Sequence, residues 1–107
     1  MSGTKFDSEK PMMVLIDPYF HEALASVMTM GAAKYDAFNW TQGIKINRLI
    51  SSLDRHLLEV KKGIDLDSES GISHCAHIAA NAMFLFWMIK NRPEMDDRFY
   101  KIKREDV

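Results

Sequence analysis

The sequence predicts an all-α fold: a small bundle of three main helices with a short C-terminal arm, assembled as a homo-oligomer. Three observations predict it. Apolar residues recur at helical spacing in two long stretches. A third stretch, CAHIAANAMFLFWMI, is apolar on nearly every side and closes before a proline. No stretch alternates polar and apolar residues as a half-buried strand would. At 107 residues the chain is one domain on length, with a polar leader over 1–12 and a charged tail over 94–107.

The first helix is predicted to begin after Asp17, which suits an N-cap, with Pro18 at the first helical position. Phe20, Leu24, Val27 and Met28 form its apolar stripe, and Gly31 predicts its end near Met30. Residues 31–43, GAAKYDAFNWTQG, read as a loop or broken helix between two glycines. The second helix is predicted from about Ile44 to Lys62. Ile46, Leu49, Ile50, Leu53, Leu57 and Val60 line its buried face, and Gly63 closes it. Arg48, Arg55 and Glu59 share a neighbouring stripe.

An acidic turn follows over 63–71, and the third helix is predicted to start at Ser68 or Ser70 and run to about Asn91, where Pro93 stops it. Its fifteen-residue apolar interior is shorter than the roughly 20 residues that cross a bilayer. Protein must therefore cover it, and two partner helices do not suffice. A second copy of the chain is expected on it, with Ala76, Ala79, Ala80 and Ala82 allowing close approach.

Composition excludes several roles. Apolar residues make up 47% of the chain, against disorder. A net charge of −1, from 14 basic and 15 acidic residues, offers no footprint for a nucleic acid backbone. The single cysteine, Cys75, excludes an internal disulfide and fits a reducing cytoplasm, and the polar N-terminus lacks a secretory signal. Neither a membrane nor a nucleic acid is expected as a partner.

The chemistry concentrates in DLDSESGISHCAH, residues 65–77. Asp65, Asp67 and Glu69 precede His74 and His77, and His74, His77, Asn81 and Leu85 fall on one helical stripe. His56 and Glu59 lie near the end of the second helix. A short connection makes these helices antiparallel neighbours, which brings His56, Glu59, Asp65, Asp67, Glu69, His74 and His77 together. Carboxylates suit Mg²⁺ or Mn²⁺, and imidazole tilts the choice toward Mn²⁺ or other transition ions. With Arg48, Arg55 and Lys34 nearby, such a cluster suits phosphate: a cation screens its charge and acidifies a water, while arginine grips its oxygens. Taken singly, the same residues have ordinary uses as helix caps, core histidines, surface charges and, for Asn81, helix pairing. In the loop, Lys34, Tyr35, Asn39 and Trp40 offer a charge, rings and an amide suited to a purine, or rings that fold the loop onto the core.

The strings KPMMVLIDPYFHEALASVMTMGAAKYDAFNW and RLISSLDRHLLEVKKGIDLDSESGISHCAHIAANAMFLF resemble MazG-like nucleotide pyrophosphohydrolases, in the phage and bacterial branch of dATP/dGTP diphosphohydrolases. The landmarks are G-A-x-K-Y-x-x-x-N-W, R-H-L and D-x-E-S-G-x-x-H-x-x-H, within residues 10–88. The small size is similar to that of the MazZ-like phage enzymes. The resemblance implies an all-α dimer or tetramer, dependence on Mg²⁺ or Mn²⁺, and hydrolysis of dGTP or dATP to the monophosphate and pyrophosphate. It further implies a place in phage 2-aminoadenine metabolism, in the host cytoplasm. The wider superfamily carries E-x-x-E and E-x-x-D as its metal signature. This chain has His56-Leu-Leu-Glu59 and His74-Cys-Ala-His77 instead. Either histidines replace carboxylate ligands or the acidic turn supplies them. The expected ligands are, in order, Glu59, Glu69, His74, Asp67 and His77, with His56 beside them. Glu59 or Glu69 is the expected general base. Lys34, Tyr35, Asn39, Trp40, Arg48, Arg55 and Asn81 are expected at the substrate. A non-catalytic oligomer that binds metal or nucleotide is the alternative, and a helical interaction bundle without any site is a further one.

Overall fold

The computed structural model describes residues 9–105. Residues 1–8 of the expected leader and 106–107 of the expected tail lie outside them. Four α-helices carry the described residues: α1 (Pro18–Tyr35), α2 (Ile46–Lys61), α3 (His74–Asn91) and α4 (Phe99–Glu105). Short 3₁₀ turns at Met13–Leu15, Asn39–Gln42 and Pro93–Met95 join or precede them. Among the described residues the only extended pairing is an isolated antiparallel bridge between Leu66 and Ser73. The all-α expectation holds. No helix among them is long and apolar enough to cross a membrane.

The start of α1 follows from its sequence. The Asp17 carboxylate accepts from the Phe20 N–H at 2.9 Å, and Pro18, which lacks an N–H to satisfy, opens the first turn. The expected end at Met30 is corrected: α1 runs through Gly31 to Tyr35. One glycine inside a helix costs only about 1 kcal/mol, and Ala32 and Ala33 beyond it are strong helix formers. Termination waits for Asp36, whose φ of 74° breaks the helical path.

At the end of α2 the Gly63 N–H bonds the Val60 carbonyl and the Ile64 N–H bonds the Glu59 carbonyl, at 2.9 and 3.0 Å. This is the paired closure that glycine at positive φ permits, and Gly63 has φ +84°. At its start, the preceding Lys45 supplies no side-chain cap. Asp97, 50 residues away, does so instead: its Oδ1 accepts from the Asn47 N–H at 2.9 Å, and Asn47 Nδ2 donates to the Asp97 carbonyl at 2.8 Å. The charged tail is thus tied back to α2 before α4 begins.

The expected start of α3 at Ser68 or Ser70 is also corrected; it begins at His74, with the Ser73 hydroxyl accepting from the Cys75 N–H at 3.1 Å. The acidic stretch is prevented from joining the helix by its own bonds. The Asp67 carboxylate accepts from the Ser70 N–H at 2.9 Å, and the Asp67 carbonyl accepts from the N–H of Gly71, at φ +72°. Two further backbone bonds, Asp67 N–H to the Ile72 carbonyl and His74 N–H to the Asp65 carbonyl, both 2.9 Å, fasten the turn as a small hairpin.

Helix α3 is the central element. Its Ala76 and Ala80 pack with Val27 of α1, and its Met88 packs with Ile46 and Leu49 of α2. Phe84 borders both clusters and joins the two cores. Two of the four alanines expected at a contact between copies are therefore used inside the chain, while Ala82 is exposed. Phe86, at 71% exposure, and Ile89, at 48%, leave a side of α3 uncovered. Leu57, expected on the buried face of α2, is 43% exposed.

Candidate metal centre

The antiparallel approach of α2 and α3 sets the end of one helix against the start of the other. His56, in the last two turns of α2, meets His74 at the first position of α3, and their Nδ1 atoms lie 2.8 Å apart. Two facing imidazole nitrogens share one proton at most, so one ring donates and the other accepts through its lone pair. His77, one turn further along α3, lies flat on His56, with ring centroids 4.6 Å apart and planes 4° from parallel.

The hairpin adds the acid. Asp67 belongs with His56 and His74 to one group whose ligand atoms all lie within 4.8 Å of one another. Its Oδ2 is 3.8 Å from His77 Nε2. The same His77 nitrogen shares a 2.8 Å hydrogen bond with the Ser70 hydroxyl, which also accepts from the Ile72 N–H. His74 is buried at 4% exposure, and Asn81 behind it at 8%. Asn81 Nδ2 donates to the Ser52 hydroxyl at 3.2 Å and to the His77 carbonyl at 3.0 Å, pinning α3 to α2 beneath the cluster.

Charge follows the same geometry. Burial first, then the neighbouring His77 and His74, push the His56 imidazolium below its ordinary pKa. Burial also lowers His77, against the pull of Asp67. For Asp67, burial works upward, but the Ser70 N–H and hydroxyl, with His77 and His56, outweigh it and hold the carboxyl low. The result is an ionised carboxylate beside imidazoles biased to the neutral state, which is the protonation pattern that coordinates a cation.

Residues 1–98 match the family model described as dATP/dGTP diphosphohydrolase, N-terminal. A protein of Salmonella phage PMBT28 named dATP/dGTP diphosphohydrolase is 49% identical over 98 residues, which cover 92% of this chain and 33% of that relative. The chain belongs to the dATP/dGTP diphosphohydrolase N-terminal family. It spans about a third of the length of the relative it matches. No solved structure matches it.

In this member of the dATP/dGTP diphosphohydrolase family, the fold sorts the residues singled out from sequence into several places. His56, Asp67 and His74 converge, and His77 stacks against them. Glu59 faces Lys62, at 3.4 Å, and lies outside the three-residue group. Glu69 also lies outside it, because the hairpin turns its side chain outward to Lys34, at 3.6 Å. Lys34 in turn sits 5.2 Å from the centre of the Tyr35 ring. Arg55 follows Asp54 on the exposed side of α2, next to His56, while Arg48 is exposed at the far end of that helix. Asn39 is exposed in its 3₁₀ turn. Trp40 packs inward, its ring centroid 5.0 Å from those of both Phe84 and Trp87. Ser70 and Ser52, which hold His77 and Asn81, escaped sequence reasoning. The signal for Ser70 was the Asp67-x-x-Ser70-Gly71 spacing of a side-chain-closed turn; Ser52 carried none.

Proposed function

We propose that the chain hydrolyses a purine deoxynucleoside triphosphate, dGTP or dATP, to the monophosphate and pyrophosphate with the help of a divalent cation. One observation carries this reading: in a chain of this family, His56, Asp67 and His74 meet at a helix end, beside a hairpin whose outer carboxylate pairs with Lys34. The donor set of two imidazoles and a carboxylate fits a cation. A divalent cation, when bound there, would offset triphosphate charge and make a water a better nucleophile.

The chain's own residues then divide the work. His56, Asp67 and His74 hold the cation site, and His77 and Ser70 keep His56 and Asp67 oriented. Glu59 or Glu69 takes the proton from the water that attacks the α-phosphorus. The bond from that phosphorus to the bridging oxygen breaks, and Lys34 and Arg55 offset the charge of the departing pyrophosphate. Lys34 is released from Glu69 as phosphate takes its place. Tyr35 and Asn39 face the purine from the exposed end of α1 and the turn after it. We further infer that two or four copies assemble through the uncovered side of α3 around Phe86 and Ile89, and that the enzyme works in the host cytoplasm, supplying dGMP to 2-aminoadenine synthesis.

The test is pyrophosphate release from dGTP and dATP, with Mn²⁺ and with Mg²⁺, by the chain and by Asp67→Asn. Turnover lost in the variant supports the reading; equal turnover in both removes it. A second reading is favoured by one observation: both candidate bases, Glu59 and Glu69, are paired with lysines outside the cluster. On that reading the chain binds metal and nucleotide without turnover. A thermal shift with dGTP but no released pyrophosphate would select it.

A further inference from the structure

We propose that His56, His74 and Asp67 form a nitrogen-rich site that selects a first-row transition cation and discriminates against Mg²⁺. The inference deepens the metal-dependent reading above and rests on it for its role in hydrolysis, but its geometry stands alone. Mg²⁺ is a hard ion that seeks oxygen in near-octahedral order and keeps most of its water. The three-residue group offers it one carboxylate. Glu59 and Glu69, which might have completed an oxygen shell, lie outside that group and face Lys62 and Lys34. Imidazole nitrogen, by contrast, suits the later first-row ions such as Co²⁺ and Zn²⁺, and affinity for such donors rises from Mn²⁺ to Co²⁺.

The separation of the two nitrogens is the second argument. Two nitrogens each about 2.1 Å from one ion stand about 3.0 Å apart at a right-angled corner and about 3.4 Å apart at a tetrahedral one. His56 and His74 present theirs at 2.8 Å. In the absence of an ion, that approach is tolerable only as a shared-proton contact; with one, both lone pairs can turn to the same point. The helices and the hairpin hold the three donors in place. His74 is buried, its N–H is tied to the Asp65 carbonyl, His56 is stacked under His77, and Asp67 is fixed by Ser70. Little reorganisation remains for binding to impose.

The test uses the full chain, stripped with chelator and free of nucleotide. Co²⁺, Zn²⁺, Mn²⁺ and Mg²⁺ are titrated calorimetrically, and the visible absorption of bound Co²⁺ is followed. One Co²⁺ or Zn²⁺ per chain is expected, undisturbed by a hundredfold excess of Mg²⁺. His56→Ala and Asp67→Asn should each weaken Co²⁺ binding by at least about tenfold and alter its spectrum, with circular dichroism confirming that the helices persist. If His56→Ala fails to fold, Asp67→Asn, on the hairpin surface, decides. Displacement of Co²⁺ by equimolar Mg²⁺, absence of transition-ion binding, or unchanged binding in a folded variant would overturn the proposal. The two readings separate cleanly. Co²⁺ bound at these residues without pyrophosphate release removes the hydrolase and leaves the site, whereas turnover with Mg²⁺ and no transition-ion binding does the reverse.

Discussion

His56 and His74 approach to 2.8 Å between their Nδ1 atoms although 18 residues separate them, and each comes from a different helix. Such a contact holds only while no more than one proton lies between the rings. A second proton there would set two N–H groups against each other and leave neither ring a lone pair to accept with. The stability of the cluster is therefore tied to its protonation.

In the metal-free protein, stability should fall as the pH drops below about 6.5, the ordinary histidine value. The sign follows from linkage. Burial first, together with the neighbouring rings, lowers the folded-state pKa of His56 and His77, so the unfolded chain binds more protons across the window below 6.5 and acid favours unfolding. The loss should level off once the pH passes below the depressed values. Arg55 works in the same direction on His56, and Asp67 opposes it. Urea denaturation in chelator at intervals from pH 8 to pH 5 measures this; a stability that climbs on acidification contradicts it.

Gly31→Ala should stabilise the chain by about 0.5–1 kcal/mol. The residue lies inside α1 with a helical backbone, and a Cβ built on it meets nothing within 4 Å. The substitution removes backbone freedom from the unfolded chain without a clash. Thermal unfolding reads the result, and a lower melting temperature would show that something covers this side of α1 in solution.

Trp40→Ala should cost about 3 kcal/mol, and Trp40→Phe much less. The indole sits in an aromatic corner with Phe84 and Trp87 that closes the loop onto α3. Were Trp40 instead a free platform for the purine, the alanine variant would keep its stability and lose affinity for dGTP. Denaturation and nucleotide titration of the same variant distinguish the two.

Asp97→Ala should cost about 1 kcal/mol and loosen the first turn of α2. The carboxylate is the cap that Lys45 cannot supply, and the backbone of the same residue receives Asn47 Nδ2. Asp97→Asn, which keeps an acceptor oxygen, should recover most of the loss. Amide exchange at Asn47 and Arg48 is the direct readout, and unchanged protection there would show that the tail does not cap the helix.

The sequence by itself determined the helical class, the Asp17–Pro18 start of α1, the glycine closure of α2 at Gly63 and the proline stop of α3, because each depends on bonds within one turn of chain. It also brought His56 to His74 and His77, since helical stripes and a short connection leave two antiparallel helices few ways to meet. The tertiary structure alone decided the rest. The start of α3 moved to His74 because the hairpin bonds of Asp65 and Asp67 outcompete helix extension, and the same hairpin turned Glu69 away while bringing Asp67 in. Trp40 went to the core because Phe84 and Trp87 were there to receive it. The cap of α2 came from Asp97, 50 residues on, beyond the reach of any local pattern. Local bonding preferences are written in short stretches of residues; which carboxylate reaches the histidines depends on how distant segments close on one another, and only the folded chain holds that information.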